Sequence, residues 1–238
     1  MPMAASAGAS NLLLATLDAG DLSLLEPHFK HVALQQYDIL HEAGARIEYV
    51  YFPLNAMVSL LAILESGEAI EIAAIGREGA VGAKFGTRPP VSFARAVVQL
   101  AGTALRIDIA KFQQAVTKSL AIAELAMCAN DVLMANLQQS AACNAMHAIE
   151  ARLARWLLHA RDRHDSDSIP ITQEFLSEML GVRRPTVTLA ARTLHGAGLI
   201  RYRRGVIEIL DRHGLEAVSC ECYAVVRQNI ARILGPNN

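Results

Sequence analysis

The sequence predicts an α+β chain in three parts: a small N-terminal β-barrel of jelly-roll type, a long dimerisation helix, and a C-terminal winged helix-turn-helix. Three observations carry this reading. Short apolar runs broken by Gly, Pro and Asn fill residues 31–108. A stretch without Gly or Pro then runs from Ile109 to Ala142. Beyond Pro170, two helix-like segments meet at Gly181, and two alternating segments follow around Arg204-Gly205.

The bounds agree. At 238 residues with 53% hydrophobic content, the chain can build two ordinary cores. Its formal net charge of −1 gives no hint of a polyanionic partner. The local balance does. Between Gly181 and Arg212 stand seven arginines (183, 184, 192, 201, 203, 204, 212) against Glu208 and Asp211, and patch charge decides phosphate binding. No Lys or Arg precedes the short apolar run Leu12–Leu17, so no secretory signal is expected. Ala56–Leu64 and Leu120–Ala129 each fall short of the roughly 20 residues that span a bilayer. Four cysteines in a chain of this length do not form a secreted disulfide framework, so a cytoplasmic protein with reduced thiols is expected.

Residues 1–20, rich in Ala, Gly and Ser at the start, read as a disordered tail. A short helix Leu22–Leu25 with Asp21 as N-cap follows. Candidate strands of the barrel domain (21–110) are His31–Gln36, Tyr49–Phe52, Met57–Leu64, Ala69–Ile75, Ala94–Leu100 and Thr103–Ile107, and their spacing suits a small barrel. The helix that follows, 111–145, carries a 4-3 seam of Ala121, Leu125, Cys128, Val132, Ala135, Gln139 and Ala142, the spacing of a two-helix coiled coil. About 25 helical residues reach roughly 37 Å, more than a small barrel is wide, so this helix predicts a homodimer. A second helix, Met146–Arg161, opens the C-terminal domain (146–238), and Arg161–Ser168 reads as a loop.

That domain carries the function. Thr172 is a good N-cap, with Glu174 in the first turn to suit the helix dipole. Phe175, Leu176, Met179 and Leu180 supply a buried face. Gly181 stands where a tight inter-helix turn needs a positive φ. A second helix starts at Arg184-Pro185, where Pro costs no helical hydrogen bond. Its inner face is Val187, Ala190, Ala191 and Leu194, which leaves Arg183, Arg184, Thr186, Thr188 and Arg192 outward. Ile200–Arg203 and Val206–Leu210 form a wing bearing Arg201, Arg203 and Arg204. A helix of this kind fits the major groove, where Arg pairs with guanine, while wing arginines suit phosphates. The partner expected is double-stranded DNA.

The order of parts, with TQEFLSEMLGVRRPTVTLAARTLHGAGLI, IEARLARWLL and GREGAVG (76–82), resembles the Crp/Fnr superfamily of transcription regulators. The resemblance implies a cyclic-nucleotide-binding-like barrel, control by an effector, RNA polymerase as a further partner, and a pseudo-palindromic site. It places the effector pocket at Gly79, Ala80, Val81, Gly82, Ser92, Phe93, Arg95, Leu137 and Gln138. This chain departs from the cyclic-AMP-binding members. Their Glu is here Ala80, their Arg-Ser pair is Ser92-Phe93, and their purine-contacting Thr and Ser are Leu137 and Gln138. A buried cyclic phosphate without a cation is unfavourable, although Lys84 and Arg95 stand nearby. In the recognition helix, Arg184 keeps the first base-reading position, while Pro185 and Leu189 replace the family's Glu and second Arg. The effector stays unidentified, and the sequence implies no cofactor.

No catalytic constellation appears. An N-terminal iron–sulfur site is excluded because no cysteine precedes Cys128. Cys128 and Cys143 read as core residues. Cys220-x-Cys222 with His213 lacks a fourth ligand and matches no common zinc module, so no metal site is expected. A rival reading is a cyclic-nucleotide-like module that regulates a protein partner without reading DNA.

Overall fold

The computed structural model describes residues 10–84, 86, 89–164 and 166–235. The tail expected over 1–20 falls outside this range for residues 1–9. Residues 11–17 depart from the expectation. Leu13 and Leu14 are fully buried in one cluster with Phe52 and Phe112. The Asn11 amide donates to the carbonyls of Pro53 (2.9 Å) and Gly79 (3.1 Å). Each buried leucine gains roughly 1.5–3 kcal/mol, enough to order a short segment. The first helix, α1 (Ala19–Leu22), is capped by Asp18 through Asp21 N–H rather than by Asp21.

Among the described residues seven strands build the barrel: β1 (Lys30–Leu34), β2 (Ile39–His41), β3 (Tyr49–Pro53), β4 (Met57–Ile63), β5 (Ala69–Ile75), β6 (Arg95–Leu100) and β7 (Gly102–Asp108). They form one sheet in the order β1-β7-β3 and another in the order β2-β6-β4-β5. Strand β2 escaped the sequence reading, being only three residues long and following Tyr37 at φ 75°.

The helical stretch is not continuous. Helix α2 (Ile109–Val116) is capped by Asp108, and α3 (Leu120–Met146) starts afresh with Ser119 accepting from Ile122 N–H. By length and composition α3 is long enough to cross a membrane, more than its separate apolar runs suggested. In this fold it is a packing helix. Ile122, Leu125, Ala126, Ala129 and Val132 press on the barrel core. The expected seam is therefore out of phase: Leu125 and Val132 are buried within the chain, while Ala121, Cys128, Ala135 and Gln139 are half-buried and Ala142 is exposed. The apolar stripe left open is Leu120 (74% exposed), Met127 (47%), Met134 (53%) and Ala141, at a strict seven-residue interval. A 3.5-residue pattern alone does not say which stripe its own domain claims.

The C-terminal part comprises α4 (Ile149–His164), β8 (Ser168–Pro170), α5 (Gln173–Leu180), α6 (Arg184–Gly196), β9 (Ile200–Arg203), β10 (Val206–Ile209), α7 (Arg212–Val218) and α8 (Cys222–Leu234). Its core (Leu157, Leu176, Met179, Val187, Leu194, Ile207) is continuous with Met57, Leu61, Val97 and Leu100 of the barrel. At this junction Arg163 of α4 meets Glu78 at 2.7 Å, both side chains about 95% buried. Gly76 has to be glycine there, because an added Cβ would lie 2.5 Å from the Arg163 side chain. Helix α8 returns to the barrel, where Ile230, Ile233 and Leu234 join the core that holds Phe52.

Candidate nucleic-acid interface and ligand cavity

The two helices of the C-terminal motif form as their caps dictate. The Thr172 hydroxyl accepts from Phe175 N–H at 3.2 Å, and Gly181 closes α5 in the left-handed region at φ 61°. Pro185 sits in the first turn of α6. Val187, Ala190, Ala191 and Leu194 are buried, so the opposite face, with Arg184, Pro185, Thr188, Leu189 and Arg192, lines an open surface groove.

Of the expected DNA-contacting residues, Arg183, Arg184, Arg192, Arg203 and Arg204 are exposed. Among the described residues no carboxylate pairs with Arg183, Arg192, Arg203 or Arg204, and Arg184 has only a loose contact to Glu174 (3.9 Å). Arg204 and Gly205, at φ 50° and 77°, make the two-residue turn of the wing, the paired positive φ of a type I′ hairpin. Two expected residues are less free. Arg201 pairs with Glu208 directly across the wing (2.9 Å). The Thr188 hydroxyl bonds to Gln173 Oε1 and the Arg184 carbonyl, and Thr186 is half-buried. Leu189, 62% exposed at the middle of the face, is an apolar residue presented outward. Strand β8, which starts at the last residue of what read as a loop, pairs with β10 and braces the wing.

The barrel holds a cavity of about 160 Å³ against α3. Of the expected pocket, Ala80, Val81, Gly82, Ser92, Phe93 and Leu137 line it. Three residues do not. Gly79 lies beneath it, against Ile75 and Val132. Gln138 is exposed on α3. Arg95 pairs with Glu42 (2.8 Å) and lines a separate groove beside Phe175. Lys84 does reach the cavity, but its ammonium donates to the Val91 carbonyl (2.7 Å) and lies 3.9 Å above the Phe93 ring. The rest of the wall is mostly apolar, with Ile47, Leu60, Ile72, Ile75 and Leu133 among its larger side chains and Asn130 as a polar one.

The sequence reading missed His41, the one imidazole in this apolar wall. Burial depresses its pKa to about 4, so it is neutral at pH 7, and its Nε2 has no hydrogen-bond partner among the described residues. Its position on the unexpected strand β2 hid it. The segment 76–82 also links the cavity wall (Ala80–Gly82) to Glu78 and so to Arg163 of the DNA-binding part.

A second cluster was likewise missed. His213 is solvent-exposed, so the grouping with Cys220 and Cys222 fails. Those cysteines instead meet Cys143 and His147 at the end of α3, and the four ligand atoms lie within 4.8 Å of one another. The signal was the i, i+4 spacing of Cys143 and His147 on one helix face.

A barrel with an internal cavity is thus joined by a long helix to a winged helix-turn-helix. By sequence, residues 151–218 match the Crp-like helix-turn-helix domain. Most of the chain has the fold of several solved structures. FixK2 from Bradyrhizobium japonicum is 15% identical with a TM-score of 0.68, covering 81% of this chain and 98% of its own. CLP of Xanthomonas campestris, a c-di-GMP responsive global regulator, is 14% identical at 0.64, covering 82% and 100%. A CooA mutant from Carboxydothermus hydrogenoformans is 17% identical at 0.59, covering 88% and 95%. A comparison with curated proteins found no match. Residues 151–218 are thus a Crp-like helix-turn-helix domain by sequence, and the likeness of the rest of the chain to these structures is one of fold.

Proposed function

We propose that the chain is a homodimeric, sequence-specific transcription regulator controlled by a small ligand in the barrel cavity. The observation that carries this is the exposed basic face of α6 and the wing, on a domain matched as a Crp-like helix-turn-helix. Arg183, Arg184 and Arg192 enter the major groove with Leu189, whose apolar side chain suits a thymine methyl. Arg203 and Arg204 lie on phosphates and set the salt dependence. The stripe Leu120, Met127, Met134 and Ala141 pairs with its copy, with Ala123, Asn130 and Leu137 as the alternate knobs of the seam. Dimerisation sets two recognition helices about one DNA turn apart, so the site is a pseudo-palindrome. RNA polymerase is the further partner of such a regulator, and the cytoplasm its compartment.

The ligand is uncharged and mainly apolar, with polar groups that meet Ser92 or Asn130 on the wall. A cyclic nucleotide does not suit a cavity whose one cation among the described residues, Lys84, is already engaged.

The test is selection from a random duplex pool with the full chain, followed by shift assays across a salt series. An enriched inverted repeat, bound with a steep log–log salt slope, is expected. No enrichment and no salt-dependent shift would overturn the reading and leave the protein-partner alternative. Calorimetric titration with cyclic AMP is expected to give no heat of binding.

A further inference from the structure

Where α3 ends, Cys143 and His147 project one turn apart from the same face; His147 is the C-cap, its N–H bonded to the Cys143 carbonyl. Between α7 and α8 the chain turns through Cys220-Glu221-Cys222, bringing both sulfurs against the end of α3. All three thiols are free and buried, and among the described residues the apolar side chain packed on their cluster is Ala151. Three cysteines and an alanine bury little apolar surface, so packing does not account for the cluster.

Two of the distances between ligand atoms are close to those of a coordination shell, and all lie within 4.8 Å. Cys143 Sγ and Cys220 Sγ are 3.5 Å apart, and Cys222 Sγ is 3.5 Å from His147 Nδ1. A tetrahedral zinc ion with its usual bond lengths sets sulfur–sulfur edges of about 3.8 Å and sulfur–nitrogen edges of about 3.6 Å. A disulfide would need about 2.05 Å. The outer groups are also those of a metal site. His147 Nε2 faces both oxygens of Glu221, at 3.1 and 3.2 Å, which directs Nδ1 toward the sulfurs. Gln139 donates its amide N–H to Cys222 Sγ at 2.9 Å. Three thiolates and one neutral imidazole around a divalent ion leave one net negative charge. Arg152 and Arg155 on the adjoining helix α4 lie within electrostatic reach of Cys143.

We propose that Cys143, His147, Cys220 and Cys222 bind a zinc ion that clamps both ends of the DNA-binding domain to the last turn of α3. Soft sulfur donors in a closed four-ligand set select zinc over magnesium, calcium or manganese, and leave no open position for catalysis. The matched domain spans 151–218, so two ligands precede it and two follow it. The ion closes the domain into a loop at its root. It thereby holds α4 and α8 in a defined relation to the long helix, through which the barrel addresses the DNA.

The experiment uses the reduced full chain, expressed in zinc-supplemented medium and purified without chelator. Metal analysis is expected to show one zinc per chain, and Cys128→Ser is expected to keep it. Cys222→Ser and His147→Ala are expected to lose stoichiometric metal, while Glu221→Gln, which keeps all four ligands, is expected to bind zinc about 10–100-fold more weakly in chelator competition. Cobalt(II) added alone to metal-stripped protein is expected to give the absorption bands of tetrahedral thiolate coordination, a readout independent of DNA binding. Full zinc content in Cys222→Ser would overturn the proposal. So would wild-type protein that takes up neither zinc nor cobalt, including one in which mass spectrometry finds a Cys143–Cys220 disulfide in place of metal.

Discussion

Truncating Arg163 is the sharpest test of how the two parts of the molecule are joined. Its guanidinium gives Glu78 Oε1 two short contacts, Nε at 2.8 Å and Nη2 at 2.7 Å, and the same oxygen accepts from Gly76 N–H at 3.1 Å. With side chains 5% and 6% exposed, neither partner has water to fall back on. Arg163→Ala strands a buried carboxylate, and breaking such a pair costs about 3–5 kcal/mol, between two and four decades in an equilibrium constant. Glu78→Ala strands the guanidinium, with only the weaker carbonyl contacts at Ala74 and His159 left. The double variant removes both charges and is expected to be no less stable than the worse single one. Urea unfolding followed through Trp156, the chain's one tryptophan and 2% exposed in α4, reads the three variants. Losses that add to within about 0.5 kcal/mol would mean the groups do not interact, and would refute the reasoning.

Other consequences are open to measurement. Arg184→Ala is expected to cost roughly 1–3 kcal/mol on a selected site with little change on scrambled DNA, whereas Arg204→Ala weakens both and lowers the salt slope by about one; equal losses on both duplexes would remove Arg184 from base reading. Met127→Glu with Met134→Glu is expected to give folded monomers in sedimentation, while Leu125→Glu, placed in the barrel core, is expected to unfold the protein. Glu71, fully buried beside Ser59 and Gln99, has its carboxyl pushed above the usual range by burial. The folded chain therefore holds that proton more tightly than the unfolded one, so stability is fully present below the ordinary 4.5 and falls as pH rises through the raised value. Glu71→Gln is expected to abolish that decline, and identical pH profiles would contradict it. His41 has the opposite sign: its pKa of about 4 predicts stability lost as pH falls from 6.5 toward 4, and His41→Leu is expected to flatten that limb.

Much of this architecture was legible in the residues because local chemistry decides it. The Thr172 cap, the positive φ at Gly181, Pro185 in a first turn and the Arg204-Gly205 hairpin are each dictated by neighbours within four residues. What escaped was set at long range. The break between α2 and α3 involves no Gly or Pro, only Ser119 capping a new helix. The seam on α3 was misphased because the barrel claims Leu125 and Val132 for its own core. His41 enters the cavity on a strand too short to show a period, and Arg95 left it for Glu42. The four-ligand cluster joins positions 77 residues apart, and spacing along a chain does not report such a meeting.

The segment Gly76–Gly82 has a consequence for how such a protein changes over generations. One end grips Arg163, and the other forms only part of the cavity wall, the rest coming from β4, β5 and α3 through Leu60, Ile72, Leu133 and Leu137. Substitutions at those four positions alter what fits inside while leaving the grip untouched. On the proposed function, what the cavity accepts is set by one group of residues and the link to the C-terminal part by another, so a lineage built on this plan would diversify its inputs without having to reinvent its output.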